Sequence, residues 1–321
     1  MDGGIISNLD EHEFEHAVST LLDISHEQKI RDLHIEPRTN SYTIRTKSGP
    51  HLSKIDQLTT DQAESLIHQL FTKSHLRRAS IPQEGHFKHG DLLVQFSTLP
   101  VLTGTKVFLH LTDQKMASKD LASLGLSGDN LALVKRIPEY NSGLIIVLGE
   151  GRTTTMFSIL SLFDAKKFNI STIENRLTYR LPHVNQFIAE GDFTHQAELA
   201  LSAAIKQRSK VIYLSQITSP KLAELAVEAT NNHQIIITSL PITDPFVAVD
   251  FLVNLGIPSF LLLHSLRLII SQQLISINDP NGSNDLTGLF EVLEITDHYR
   301  MLYNSGLPSP EIKRILNDLP S

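Results

Sequence analysis

The sequence predicts an α/β protein, a mostly parallel doubly wound sheet domain preceded by a smaller α+β domain. Two patterns carry this reading. In the second half, continuous apolar runs of strand length at 144–148, 211–214 and 234–238 are each followed by a helical segment. Strands buried on both faces between helices mark a parallel sheet. In the first half, amphipathic helices alternate with short β-like runs. The polar stretch 112–119 separates the halves as a linker, which places the domains at 1–113 and 120–321.

In order along the chain, residues 9–30 carry Phe14, Val18, Leu21 and Leu22 at helical spacing and read as one helix. The β-like runs 32–36 and 41–47 flank a turn at Pro37-Arg38-Thr39-Asn40. A helix over 60–74 places Ala63, Leu66, Ile67 and Leu70 on one face, and β-like runs follow near 85–87, 91–97 and 106–111. In the second half the run 144–148 leads through glycine into a helix over 153–163.

Composition narrows the function classes. With 321 residues, 41% of them hydrophobic, the chain is long enough to bury a core without metal or disulfide staples. Its 28 Lys+Arg against 35 Asp+Glu give a net charge of −7, which argues against a nucleic-acid partner. Zero cysteines exclude disulfides, a thiolate nucleophile and a cysteine-ligated zinc site, and fit a reducing compartment. The N-terminal stretch lacks a basic flank before an apolar run and does not read as a signal peptide. The longest apolar stretch, 257–277, is broken by His264, Arg267, Gln272 and Gln273, so no membrane span is expected.

Several segments, in order, resemble the type II secretion and type IV pilus assembly ATPase family. Arg31-Asp32-Leu33-His34-Ile35-Glu36-Pro37 looks like the family's SDIHIEP strand, and Ile81-Pro82-Gln83-Glu84-Gly85 is similar to its PQDGR segment. Phe96-Ser97-Thr98-Leu99-Pro100 is similar to its STLP segment, with Gly104 and Lys106 beyond. Gly143-Leu144-Ile145-Ile146-Val147 matches the strand that leads into its P-loop. Residues 251–272 look like its LLDMGVEPFLLASSL helices, and residues 286–297 like its GIFEVL segment. The resemblance implies a RecA-like P-loop domain behind a smaller α+β domain. It also implies hexameric rings with ATP between the two domains, and a cytoplasmic motor engaging an inner-membrane platform protein.

The chemical boxes depart from the family. A P-loop needs G-x-x-x-x-G-K-[ST], because successive backbone N–H groups wrap the phosphates while Lys and a hydroxyl reach the outer phosphates and Mg²⁺. Here Gly149-Glu150-Gly151-Arg152-Thr153-Thr154-Thr155 leaves one residue between the glycines, three short of four, with Arg152 in the lysine's place. One reading is a divergent anion site built from Gly149, Gly151, Arg152, Thr153 and Thr154. The other, favoured by the missing amides, is a tight strand-to-helix turn capped by Thr153.

The family's Gly-Glu strand end appears as Ser215-Gln216, and Gln216 cannot take a proton or neutralise a metal, although it could orient water. In the acidic box Glu174 remains while Asn175 and Thr178 replace carboxylates. In the histidine box His233 and Asp244 remain, while Pro241 replaces the phosphate-sensing histidine. The family's four-cysteine zinc module is absent, its interval filled by 276–285. Arg45 and Lys47 stand where the family places ring-closing basic residues, and are interface candidates or the solvent face of a strand.

These departures make a catalytically inactive relative the leading expectation, with no cofactor. It would act by assembly with itself, with a homologous ATPase ring or with the platform protein. A divergent, active ATPase using ATP and Mg²⁺ is the alternative. A third reading comes from His12-Glu13-Phe14-Glu15-His16, which fits the HExxH zinc signature. Glu15 inside the motif and the absence of a third ligand at short spacing favour a solvated acidic helix face. His86 and His89 read as polar loop residues.

Overall fold

The computed structural model describes residues 5–48, 51–189, 191–278 and 284–317. The chain forms two compact units, Met1–Met116 and Ala117–Ser321.

The first unit begins with α1 (Glu11–Phe14) and α2 (Ala17–Glu27). These replace the single helix expected over 9–30. Asp10 and Glu13 close a reciprocal capping box around α1, and the chain leaves helical geometry at His16, with φ −112° and ψ 14°. β1 (Asp32–Pro37), β2 (Ser41–Ser48) and β3 (His51–Thr59) follow. β3 is a sheet edge absent from the sequence reading: its polar residues face water, and Asp56 and Leu58 turn inward. Asp56 accepts from the backbone N of Ile6 at 2.6 Å and of Ser7 at 3.1 Å, tying the N-terminal segment to the sheet.

α3 (Thr60–Lys73) starts at a Thr59–Gln62 capping box and buries Ala63, Leu66, Ile67 and Leu70, the face its spacing predicts. β4 (Gln83–His89), β5 (Leu92–Val101) and β6 (Gly104–Asp113) complete an antiparallel sheet of order β3-β2-β1-β6-β5-β4. His86 and His89 therefore lie on a strand, not in a loop, and His89 Nε2 meets Asp23 Oδ1 at 2.7 Å. The stretch read as a linker is the end of β6 and a 3₁₀ turn at Gln114–Ser118.

The second unit holds α4 (Gly128–Lys135), then β7 (Gly143–Gly149) leading into α5 (Arg152–Leu160). β8 (Ile170–Glu174), β9 (Asn185–Ile188), α6 (Phe193–Lys206), β10 (Val211–Leu214), α7 (Pro220–Asn231) and β11 (Ile235–Ser239) continue the alternation. After α8 (Val247–Asn254) and α9 (Ser259–Ser265) come β12 (Leu266–Asn278), β13 (Asn284–Glu294), α10 (Asp297–Asn304) and α11 (Ser309–Asn317). The sheet order is β13-β12-β7-β11-β10-β8-β9, parallel except where β13 meets β12.

Every residue of β7, β8, β10 and β11 is buried. That is why β7 and β10 read as unbroken apolar runs rather than alternating ones, whereas β8, Ile-Ser-Thr-Ile-Glu, is buried with polar residues and was not read as a strand. One expectation is corrected: 266–272 is strand, not helix. Leu266 takes extended angles (φ −76°, ψ 133°) with no glycine or proline to announce the change. Residues 279–283 of the interval 276–285 lie outside the described set.

Candidate functional site

Because β7, β8, β10 and β11 are parallel, their ends at Gly149, Glu174, Leu214 and Ser239 share one edge of the sheet. Ligands of open α/β sheets bind at this edge. The fold brings together the loop at 149–151, Glu174, Gln216 and Pro241. His233 is not among them, because it precedes β11 and lies at the opposite edge with φ +63°.

The loop is closed on itself. Gly149 has φ +86° and Gly151 φ +75°, backbone that favours glycine. β12 pairs with β7 so that Gln272 lies opposite Gly149. A Cβ on Gly149 would stand 1.9 Å from the Gln272 carbonyl oxygen, and one on Gly151 would stand 2.7 Å from Gln272 Nε2. The Glu150 N–H donates to that carbonyl at 3.2 Å. Arg152 opens α5 and turns back, its Nη1 donating to the Gly149 carbonyl at 3.1 Å. Thr155, fully buried, donates its hydroxyl to Gln272 Oε1. The expected Thr153 cap is corrected: Gly151 is the N-cap, and no side chain caps the helix.

Behind the loop, Thr154 Oγ1 lies 3.3 Å from the Tyr179 hydroxyl. The Phe157 ring packs edge-on against Tyr179 at 4.8 Å and tilted against Tyr213 at 4.7 Å. Burial, with the Glu174 charge adding to it, pushes the Tyr213 hydroxyl far above the ordinary tyrosine range.

Glu174 is 1% exposed. Its carboxylate accepts from Thr172 Oγ1 at 2.7 Å, Gln186 Nε2 at 3.0 Å and the Thr178 N–H at 3.3 Å. Burial still outweighs these bonds and raises its pKa above the usual carboxylate range. A raised folded-state pKa favours the protonated form, so this contribution is fully present below the unfolded pKa. It is lost as pH rises through the folded value. Melting temperatures of the wild type and Glu174→Gln, compared over roughly pH 4 to 8, should therefore shift in the variant's favour as pH rises. A difference that does not change with pH would contradict this reading.

Gln216 is half-buried just past β10, between backbone bonds from Ser215 N to Ile173 O (3.0 Å) and from Ile217 N to Ser239 O (3.0 Å). Pro241 is exposed, and Asp244 Oδ1 accepts from Phe246 N at 2.9 Å.

In the first unit, Arg45 is turned onto Glu36, which is also paired with Arg38 at 2.6 Å and Lys106 at 3.3 Å. Burial pushes the Glu36 carboxyl up, but bonds from Arg38, Arg45 and Lys106 outweigh it and leave it below the usual range. Lys47 is exposed. His12 Nδ1 meets Glu15 Oε2 at 3.6 Å, and α1 ends between the two histidines of the HExxH match. Among the described residues no group of three His, Asp or Glu is placed to hold a metal.

Sequence reasoning missed Gln272 as a loop partner, together with Gln186, Tyr179 and Tyr213. For Tyr213 there was a signal, an aromatic hydroxyl in an otherwise aliphatic buried strand.

A parallel sheet of this order, with a glycine-flanked turn from β7 into α5, defines a P-loop ATPase fold. Residues 8–307 match the family described as Type II/IV secretion system protein, and the chain belongs to that family. It is 24% identical to the Type II secretion system protein HxcR of Pseudomonas aeruginosa, over 92% of this chain and 69% of that one. It is 28% identical to the Type II secretion system protein E of Klebsiella pneumoniae, over 80% of this chain and 54% of that one. It is 26% identical to the Type IV pilus assembly ATPase PilB of Myxococcus xanthus, over 80% and 47%. The chain thus spans between about half and two thirds of these relatives' length. Among solved structures, the pilus retraction motor PilT with bound ADP superposes with a TM-score of 0.71 at 19% identity, over 93% of this chain and 88% of that one. The Legionella pneumophila ATPase DotB gives a TM-score of 0.70 at 16% identity, over 92% and 86%. These similarities show the fold. Among the described residues no helix is long and apolar enough to cross a membrane.

Proposed function

We propose that this chain is a catalytically inactive relative of the secretion and pilus assembly ATPases that works by assembly, as a ring subunit or as a partner of an intact homologue. The observation that carries this is the Gly149-Glu150-Gly151 turn, closed by Gln272 on one side and by Arg152 on the other. A Mg²⁺-bound polyphosphate does not fit these residues. Amides enough to wrap it are missing, the cation that would reach it is bonded to a backbone carbonyl, and Glu150 adds repulsion. Gln216 offers neither a charge for a metal nor a base for water, and Pro241 cannot report on a phosphate.

The segments that keep the family pattern, at 32–37, 82–85 and 251–265, carry packing and surface rather than chemistry. Working beside the cytoplasmic face of an inner-membrane platform protein follows from this reading. A subunit contact of ordinary size covers about 800 Å² per partner, within reach of a two-unit chain. The test has two parts, phosphate release from ATP and co-purification with an intact homologue. The expected result is no turnover and stable co-purification, more stable with nucleotide on the homologue than without. Turnover abolished by Arg152→Ala would support the active alternative. A strict monomer that ignores both the homologue and the platform protein would overturn the assembly reading.

A further inference from the structure

Far along the chain from the 149–151 turn, α9, α10 and the first residues of β12 border an open cleft of about 390 Å³. Its walls include Phe260, Leu263, His264, Arg267 and Arg300, with Asp297 at the rim. The volume falls in the range of ordinary ligand pockets, about 300–1,000 Å³. Its charged groups are two arginines against one aspartate, beside His264 and Asn304, on a chain whose net charge is −7.

The two arginines are fixed but incompletely neutralised. Arg267 donates from Nε to the Ser142 carbonyl at 3.2 Å and from Nη1 to the His264 carbonyl at 3.0 Å. Both acceptors are backbone oxygens, and among the described residues no carboxylate lies within ion-pair distance of Arg267. Arg300 donates from Nε to the Leu263 carbonyl at 3.0 Å and from Nη1 to Asp297 at 2.6 Å. The Asp297 side chain is fully exposed, so water screens that pair. Burial first, then the neighbouring charge of Arg300, makes the Arg267 cation harder to hold. Both guanidinium groups are held in place by backbone oxygens, which lowers the entropy lost when an anion binds.

Apart from Asn304, the remaining wall is apolar. Leu263 is buried beneath the cleft, while Phe260 is 68% exposed at its mouth. An inorganic anion has no use for that wall, and a lipid surface is flat where this site is concave. A carboxylate side chain next to an apolar one satisfies both halves.

We propose that this cleft docks a short acidic segment of a partner protein. Arg267 and Arg300 take its carboxylate, and an adjoining apolar side chain lies against Phe260 and Leu263. Arginine pairs with carboxylates through parallel N–H···O bonds, the geometry that gives such contacts direction as well as strength. This site stands apart from the nucleotide reading: it holds whether or not the chain binds ATP.

The test is fluorescence anisotropy with a labelled six-residue peptide alternating glutamate and leucine, against the same peptide with lysine for glutamate. The acidic peptide should bind saturably and weaken with salt, and the lysine peptide should not bind. Arg267→Gln, which removes a charge-assisted bond, and His264→Glu, which sets a carboxylate against the acidic peptide, should each weaken binding about tenfold or more. Arg267 also holds two backbone oxygens, so its variant can lose stability. His264 is exposed and its variant keeps the fold, which an unchanged melting temperature will verify. Binding unchanged in His264→Glu, or no binding of the acidic peptide, overturns the proposal. So does a preference for inorganic phosphate, or for vesicles containing an anionic phospholipid, over the peptide.

Discussion

Gly149→Ala is expected to lower stability by about 3 kcal/mol or more, the sum of left-handed strain and a backbone clash. The position has φ +86°, and the new Cβ would stand 1.9 Å from the Gln272 carbonyl oxygen. That oxygen cannot swing away, because it belongs to β12, which is paired on one side with β7 and on the other with β13. It also accepts the Glu150 N–H. The natural control is Gly256→Ala, with φ +97° but nothing within 4 Å of the new Cβ. That variant should lose only the conformational strain, about 1–2 kcal/mol. Urea denaturation of both separates the two causes. Equal losses would mean that the contact with Gln272 is not what fixes the turn.

The second large effect concerns the loop itself. Inserting three residues between Gly149 and Gly151, with Arg152→Lys, is expected to create Mg²⁺-ATP binding tighter than about 1 mM, some 4 kcal/mol. The longer loop supplies the missing amides, and lysine does not repeat the guanidinium contact with the Gly149 carbonyl. Thr155 and Gln272 hold the start of α5 against β12 and stay in place to support it. Turnover should remain absent, since Gln216 and Pro241 are unchanged. Hydrolysis by this variant would place the loss of activity in the loop alone.

Legibility in the sequence followed burial. β7, β10 and β11 were visible because both faces of each are covered, so apolar residues dominate each run, with polar residues in β11 only at its end, Thr238 and Ser239. α3 was visible because the spacing of Ala63, Leu66, Ile67 and Leu70 matches the face it buries, although its cap at Thr59 and Gln62 was not read. β3 was not, since an edge strand with solvent on most of its side chains has the composition of a loop. The switch from α9 to β12 was missed for the opposite reason: apolar residues continue through it unpunctuated. At the candidate site, the short turn and the replaced residues could be read directly from spacing. What occupies the turn could not. Gln272 is 123 residues from Gly149, and only the pairing of β12 with β7 brings them together. Glu174 was recognised as a retained acid, but its burial among Thr172, Thr178 and Gln186 depends on β9 lying beside β8.

The most direct test of the central claim is calorimetric titration of the unaltered protein with ATP in the presence of Mg²⁺. With the 149–151 turn closed by Gln272 and Arg152, the account expects no saturable heat up to about 1 mM nucleotide, a free energy weaker than about 4 kcal/mol. Saturable micromolar binding that disappears in Arg152→Ala would contradict it, and would return this chain to the ATP-using members of its family.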